Sequence, residues 1–284
     1  MKRIVFIFLI FLFMQGQSFA NNCNFICTKP YDLSIGVSRF MSSITGSNFL
    51  AEQVAKSILK NEINKNAEGK FTVKVDSYSL KDLKKGIFKS ILINGKNIST
   101  NDIYISSLKV ATLCDFNYIL FEDGKDPIFK EDLPLSFEIE ISEQDLNKTM
   151  QSASYIRNIS KLNAVGANYG LFRINSTEIK IRENKLYYVL NVMIPFVKNT
   201  QNIVIATDLT VVDGDIDFAN SKLMNSVFSL DLKKIDKIIN YLNPLDFSLN
   251  ILENKDAVVT VKNVKIIEDR IVINGFFIIP KDED

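Results

Sequence analysis

The residues of this chain that could do chemistry are few, and their spacing is ordinary. Asp213-Gly214-Asp215-Ile216-Asp217 brings carboxylates close enough to suggest a calcium ligand set. The full spacing of a calcium loop is missing, and Asp-Gly between alternating residues is the preferred composition of a two-residue hairpin turn. The turn is therefore the better reading. Glu138 and Glu140 share one face of an alternating segment and could imitate a glycosidase carboxylate pair. Opposite Phe137 and Ile139 they read more simply as the wet side of a strand. Lys81, Lys84 and Lys85 flank a turn, either as solvated surface or in contact with phosphate headgroups.

What is missing narrows the chemistry further. The chain has no histidine, which excludes Ser-His-Asp and Cys-His nucleophiles and removes the commonest metal ligand. Glycine is scarce, and no phosphate-cradling Gly-rich motif is present. We expect no catalytic residues, no cofactor and no metal site. The cysteines are Cys23, Cys27 and Cys114. Cys23-x-x-x-Cys27 without a partner cluster is a poor zinc site and a natural place for a disulfide. Pairing of Cys23 with Cys27, or of either with Cys114, stays open.

The elements that must carry these residues begin after a leader. Lys2 and Arg3 precede an unbroken apolar run from Ile4 to Met14, and Ser18-Phe19-Ala20 offers small residues for cleavage. The run is too short to span a bilayer, which takes about 20 residues. Residues 1–20 are thus expected to be a signal peptide, cleaved near Ala20, with the mature chain in the periplasm or secreted. Losing Lys2 and Arg3 turns the formal charge of +1 slightly negative. With no basic stripe, nucleic acid is not an expected partner.

Residues 21–46 read as an N-terminal extension with a partial helix, from Leu33, Val37, Phe40, Met41 and Ile44 at helical spacing. Residues 47–284 read as a single domain. A helix over 48–65 turns Leu50, Val54 and Ile58 to one side. Phe71, Val73 and Val75 then alternate with polar residues, and a strand over 88–98 follows the lysine turn. A parity shift between Ile105 and Leu108 predicts a β-bulge near Ser106-Ser107. Leu135, Phe137, Ile139 and Ile141 alternate cleanly into a helix capped by Ser142, with Asp145 in the capping-box position and Leu146 and Met150 on its apolar side. Later strands span 171–174, 178–182, 186–196, 202–212, 215–218, 247–252, 257–267 and 270–279, with a helix over 231–242 stopped by Asn243-Pro244. The strand over 186–196 and the last strand carry apolar residues on both faces. Roughly ten strands and three or four helices in meander order predict an α+β fold, a long curved antiparallel sheet with helices on one face.

Several of these segments resemble one family. LAEQVAKSILKNEI with Ala51-Glu52, the Leu83-Lys84-Lys85-Gly86 segment leading into a strand, and EISEQDLNKTM with Asp145-Leu146 are similar to motifs of the LmeA-like phospholipid-binding family of exported bacterial proteins. The likeness runs from about Ser47 to Ala153 and weakens beyond. It implies a tubular lipid-binding (TULIP-like) fold, in which a long N-terminal helix packs on a highly curved antiparallel sheet around an apolar channel. It also implies binding of phospholipid or another acyl lipid, with transient contact at a membrane surface. On that reading the lipid-binding residues are Leu50, Val54, Ile58, Phe71, Val73, Ile91, Ile93, Phe137, Ile139, Leu146 and Met150. The rival reading is a non-enzymatic envelope module whose apolar interior is solid core. A carboxylate-based envelope hydrolase is a third. Protein partners are not indicated.

Overall fold

The protein is described from a computed structural model, which covers residues 25–34, 47–120, 127–168, 172–195, 197–225, 232–249 and 257–282. The expected leader and most of the expected 33–44 helix lie outside the described residues. Helix α1 (Ser47–Asn66) leads almost directly into β1 (Glu68–Asp76), and α2 (Leu80–Lys84) precedes β2 (Ile87–Phe88). Strands β3 (Ser90–Thr100), β4 (Ile103–Thr112), β5 (Asn117–Leu120), β6 (Ile128–Phe129) and β7 (Leu133–Ser142) follow. After α3 (Glu143–Thr149) and α4 (Ala153–Asn168) come β8 (Arg173–Arg182), β9 (Lys185–Met193), β10 (Gln201–Val212) and β11 (Asp215–Asn225). Helices α5 (Leu232–Tyr241) and α6 (Pro244–Leu249) precede β12 (Val258–Ile267) and β13 (Arg270–Ile279).

The strands form three antiparallel sheets, ordered β1-β3-β4-β7-β13-β12, β11-β10-β9-β8 and β2-β5-β6. Among the described residues, strand clearly outweighs helix. This overturns the expected long helix packed on one highly curved sheet. Among the described residues, helix α1 meets chiefly β1, an edge strand, and α2. The physical reason is local. Two-residue turns recur, so the chain folds back in hairpins that collect into separate sheets. Asn101 and Asp102 (φ 48° and 63°), Glu183 and Asn184 (52° and 57°), and Asp213 and Gly214 (53° and 96°) are all left-handed, as such turns require. The Asp213-Gly214 segment is therefore the expected hairpin, with Val212 opposite Asp215.

Other expectations are corrected by register and burial. No bulge interrupts β4 at Ser106-Ser107, because β3 and β4 keep one register throughout. The buried set changes parity on both strands at the same level, where Asn97 takes a φ of 50°. Strand β9 is not buried on both sides. Leu186, Tyr188, Leu190 and Val192 are buried, whereas Tyr187 and Val189 are half-exposed and Met193 is exposed. In β13, Ile271, Ile273 and Phe277 are buried and the opposite face is half-covered. The expected strand over 247–252 is instead occupied to Leu249 by α6, whose first residue, Pro244, suits the first helical position. Asn243 accepts from the Leu245 amide (3.1 Å), so the residues expected to stop one helix start another. The segments over 171–174 and 178–182 join as one strand, β8, with a register shift between Ile174 and Ser176. Helix α4 went unrecognised, although Tyr155, Ile159 and Leu162 follow its period.

Side chains close the edges of the four-stranded sheet. Along β8, Asn147 Nδ2 donates to Ile179 O (2.8 Å) and its Oδ1 accepts from Ile179 N (2.9 Å). Asn163 makes the same paired contact with Ile174 (2.8 and 2.7 Å), and Glu143 accepts from Ile181 N (2.7 Å). Along β11, Asn240 accepts from Phe218 N (2.9 Å) and Asn243 donates to Ile216 O (2.7 Å). A carboxamide offers the donor and acceptor of a strand partner, so these helices occupy edges that would otherwise pair with another chain. The six- and four-stranded sheets meet where Val261 N donates to Gly214 O (2.8 Å), and one continuous core underlies them both.

Candidate functional site

The residues expected to line an acyl channel do converge, but as a packed layer. On the inner face of the six-stranded sheet, Val73, Ile93, Val110, Phe137 and Gly275 form one row across successive strands. Phe71, Gly95, Leu108, Ile139 and Ile273 form the next. Phe71, Val73, Phe137 and Ile139 are 7%, 1%, 3% and 0% exposed. Each glycine in these rows has an aromatic ring against it. A Cβ at Gly95 would lie 2.8 Å from the Phe71 ring and 2.7 Å from Ile98 Cδ1. At Gly275 it would lie 2.6 Å from Phe137 Cζ and 2.3 Å from Thr260 O. Phenyl rings take the volume that side chains at these two glycines would fill.

Leu146 on α3 and Met150 at its C-cap are buried, and α3 packs among β4, β8 and α6. Ile91 and Ile93 are only half-buried. The side chains of Leu50, Val54 and Ile58 lie outside the described residues. Glu138 is exposed on the outer face, and Glu140 there pairs with Arg270 (3.2 Å), as solvent-facing residues should. Among the described residues, no cluster of Cys, Asp or Glu could hold a metal ion, and no helix is long and apolar enough to cross a membrane.

A second constellation surrounds residues 25–34, which run along the three-stranded sheet as an extended strap. Of the pairings left open, Cys27–Cys114 is formed, with Cα atoms 5.6 Å apart. Thr28 and Tyr31 donate to Glu131 (2.6 and 2.8 Å), and the Tyr31 ring lies 5.2 Å from that of Phe116. Desolvation and the Glu131 carboxylate push the Tyr31 phenol up to about 12. Lys85 Nζ binds Asp32 (2.7 Å), and that bond raises its pKa. Thus one lysine of the turn proposed for headgroups is already engaged. Asp82 is fully buried and accepts from Ser34 N (2.6 Å), Ser34 Oγ (2.9 Å) and Ser79 Oγ (2.6 Å). Ser79-x-x-Asp82 is a helix-start signature that sequence reasoning passed over.

A third feature was not anticipated. Tyr155 on α4 and Tyr188 on β9 lie within hydrogen-bond distance of one another and of Leu242 O at the end of α5 (2.8 and 3.2 Å). Their two hydroxyl protons are shared over three contacts, one phenol donating to the carbonyl and the other to its neighbour or to the same carbonyl. Both side chains are fully buried. Burial raises the Tyr155 pKa to about 12 and Tyr188 well above its ordinary value. The folded state therefore holds protons that the unfolded chain releases near pH 10. The stabilisation is complete below that pH and declines as pH rises towards 12, by about 1.4 kcal/mol per pH unit for each buried phenol. Urea titrations at stepped pH should show this decline in the native chain and a shallower one in Tyr188→Phe. Equal slopes would remove these phenols from the alkaline response. No family model, curated protein or solved structure matches this chain.

Proposed function

We propose that the chain is an exported, non-catalytic interaction module of the cell envelope, built on a solid core and a disulfide-fastened strap. One observation carries this reading. The strand residues expected to hold acyl chains fill the sheet face themselves, with Phe71 over Gly95 and Phe137 over Gly275. The leader-like N-terminus and the Cys27–Cys114 bond agree with an oxidising compartment. The lack of histidine agrees with a role other than acid–base chemistry.

Phospholipid binding of the LmeA-like kind is a second reading, favoured by Ile91 and Ile93. These stay half-buried on the inner face while Val73 and Val75, on the neighbouring edge strand, are 1% and 4% exposed. An apolar tail laid there would gain about 0.8 kcal/mol per buried CH₂. Native mass spectrometry of the purified mature chain, with a fluorescent-phospholipid uptake assay, separates the two. A lipid-free chain that takes up no probe supports the module. Co-purified lipid, or saturable uptake blocked by Ile93→Glu, overturns it.

A further inference from the structure

We infer that a cleft beside α3 is a binding site for a phosphate-type oxyanion. The cleft, about 690 Å³, opens where α3 meets the ends of the β3–β4, β8–β9 and β12–β13 hairpins. It lies apart from the packed sheet face, so the inference stands independently of the module reading. The volume suits a small ligand, and the lining is polar, which disfavours an apolar one.

Its lining includes cations Lys148, Arg182 and Arg270 and carboxylates Glu143, Asp145 and Asp269. A count of charges alone would make it neutral. The distinction between the two sets lies in how their hydrogen-bonding groups are used. One Asp145 oxygen accepts from Ser142 N (3.1 Å), Ser142 Oγ (2.6 Å) and Ser106 Oγ. One Glu143 oxygen accepts from Ile181 N and Arg182 Nη1, both at 2.7 Å. The fold thus already engages one oxygen of each carboxylate, and Glu143 is paired with Arg182.

The cations keep spare donors. Arg182 uses Nη1 for Glu143 and Ile181 O, leaving Nε and Nη2 without a partner among the described residues. Arg270 uses Nη1 for Glu140 (3.2 Å) and approaches Asp269 only at 3.8 Å, so Nη2 is open. Lys148 Nζ sits 5.4 Å over the Tyr104 ring, with no carboxylate partner among the described residues. Both guanidiniums are more than half exposed, at 61% and 51%. Asp269, 72% exposed at the rim, is the opposing charge and can turn to water. Unused guanidinium and ammonium donors in a cleft are matched by a tetrahedral oxyanion, which accepts several charge-assisted bonds at once. The amide groups at the start of α3 are not invoked, since its capping box already uses the Asp145 amide.

Inorganic phosphate, and vesicles of phosphatidylglycerol in phosphatidylcholine set against phosphatidylcholine alone, are the probes. Calorimetric or NMR titration should show saturable phosphate binding that weakens with salt. Lys148→Gln with Arg270→Gln should weaken it at least about tenfold, without shifting the thermal midpoint. Lys148→Gln alone serves if the double variant is destabilised. If vesicle sedimentation falls with phosphate binding, the oxyanion belongs to a headgroup; if only phosphate binding falls, it belongs to a soluble ester. No saturation up to about 10 mM phosphate together with no preference for anionic vesicles, or unchanged binding in the variants, overturns the site.

Discussion

Phe137→Ala is expected to lower the unfolding free energy by about 3–5 kcal/mol, the range for truncating a fully packed aromatic residue. Phe137 is 3% exposed, stands between Val110 and Gly275 on neighbouring strands, and lies 6.3 Å from the Phe277 ring. Removing the ring leaves a void beside Gly275, which has no side chain to relax into it. The row of backbone on either side is fixed by hydrogen bonds, so collapse is limited. Urea denaturation monitored by tyrosine fluorescence would measure the loss. A cost below about 1 kcal/mol would mean that the ring faces a space already open, and the solid-core reading would fail. The same variant therefore tests stability and function together.

Cys27→Ser should be the next most costly change. The bond closes a span of 87 residues, for which the chain-entropy model predicts about 4–5 kcal/mol and measured cases commonly 2–4 kcal/mol. The strap makes no backbone pairing of its own among the described residues. Side chains and this bond hold it. Without the tether, Asp82 risks losing Ser34, which supplies two of its donors. A buried carboxylate short of donors is costly, so release of the strap should loosen α2 and the three-stranded sheet before the rest. Hydrogen exchange with and without reductant should show faster exchange in 79–88 and 113–120, while β9 and β10 stay protected. Uniform protection in the reduced chain would show that the strap needs no covalent tether.

Much of the local structure was legible in the residue order. The alternation of Phe71, Val73 and Val75, and of Leu135 through Ile141, identified strands with one wet face, because side chains alternate sides every residue. Ser142 and Asp145 identified a helix start, because two hydroxyl and carboxylate groups at that spacing satisfy free amides on one turn. Asp213-Gly214 identified a hairpin, because few residues tolerate left-handed backbone. In each case the determinant lies within a few residues.

What the residue order left open depends on partners distant in sequence. That the Phe71 ring lies against Gly95 and the Phe137 ring against Gly275 depends on strand pairing, which brings together residues distant in sequence. Three cysteines allowed more than one pairing until Cys114 was brought beside Cys27. The roles of Asn147, Asn163 and Asn240 depend on their carboxamides meeting the open edges of β8 and β11. Tyr155 and Tyr188 became a pair only when α4, β9 and the end of α5 converged on Leu242 O. Alternation and capping are short-range effects of backbone geometry, and a sequence carries them openly. Burial, pairing and vacancy are properties of the space between segments, and that space exists only once the chain has folded.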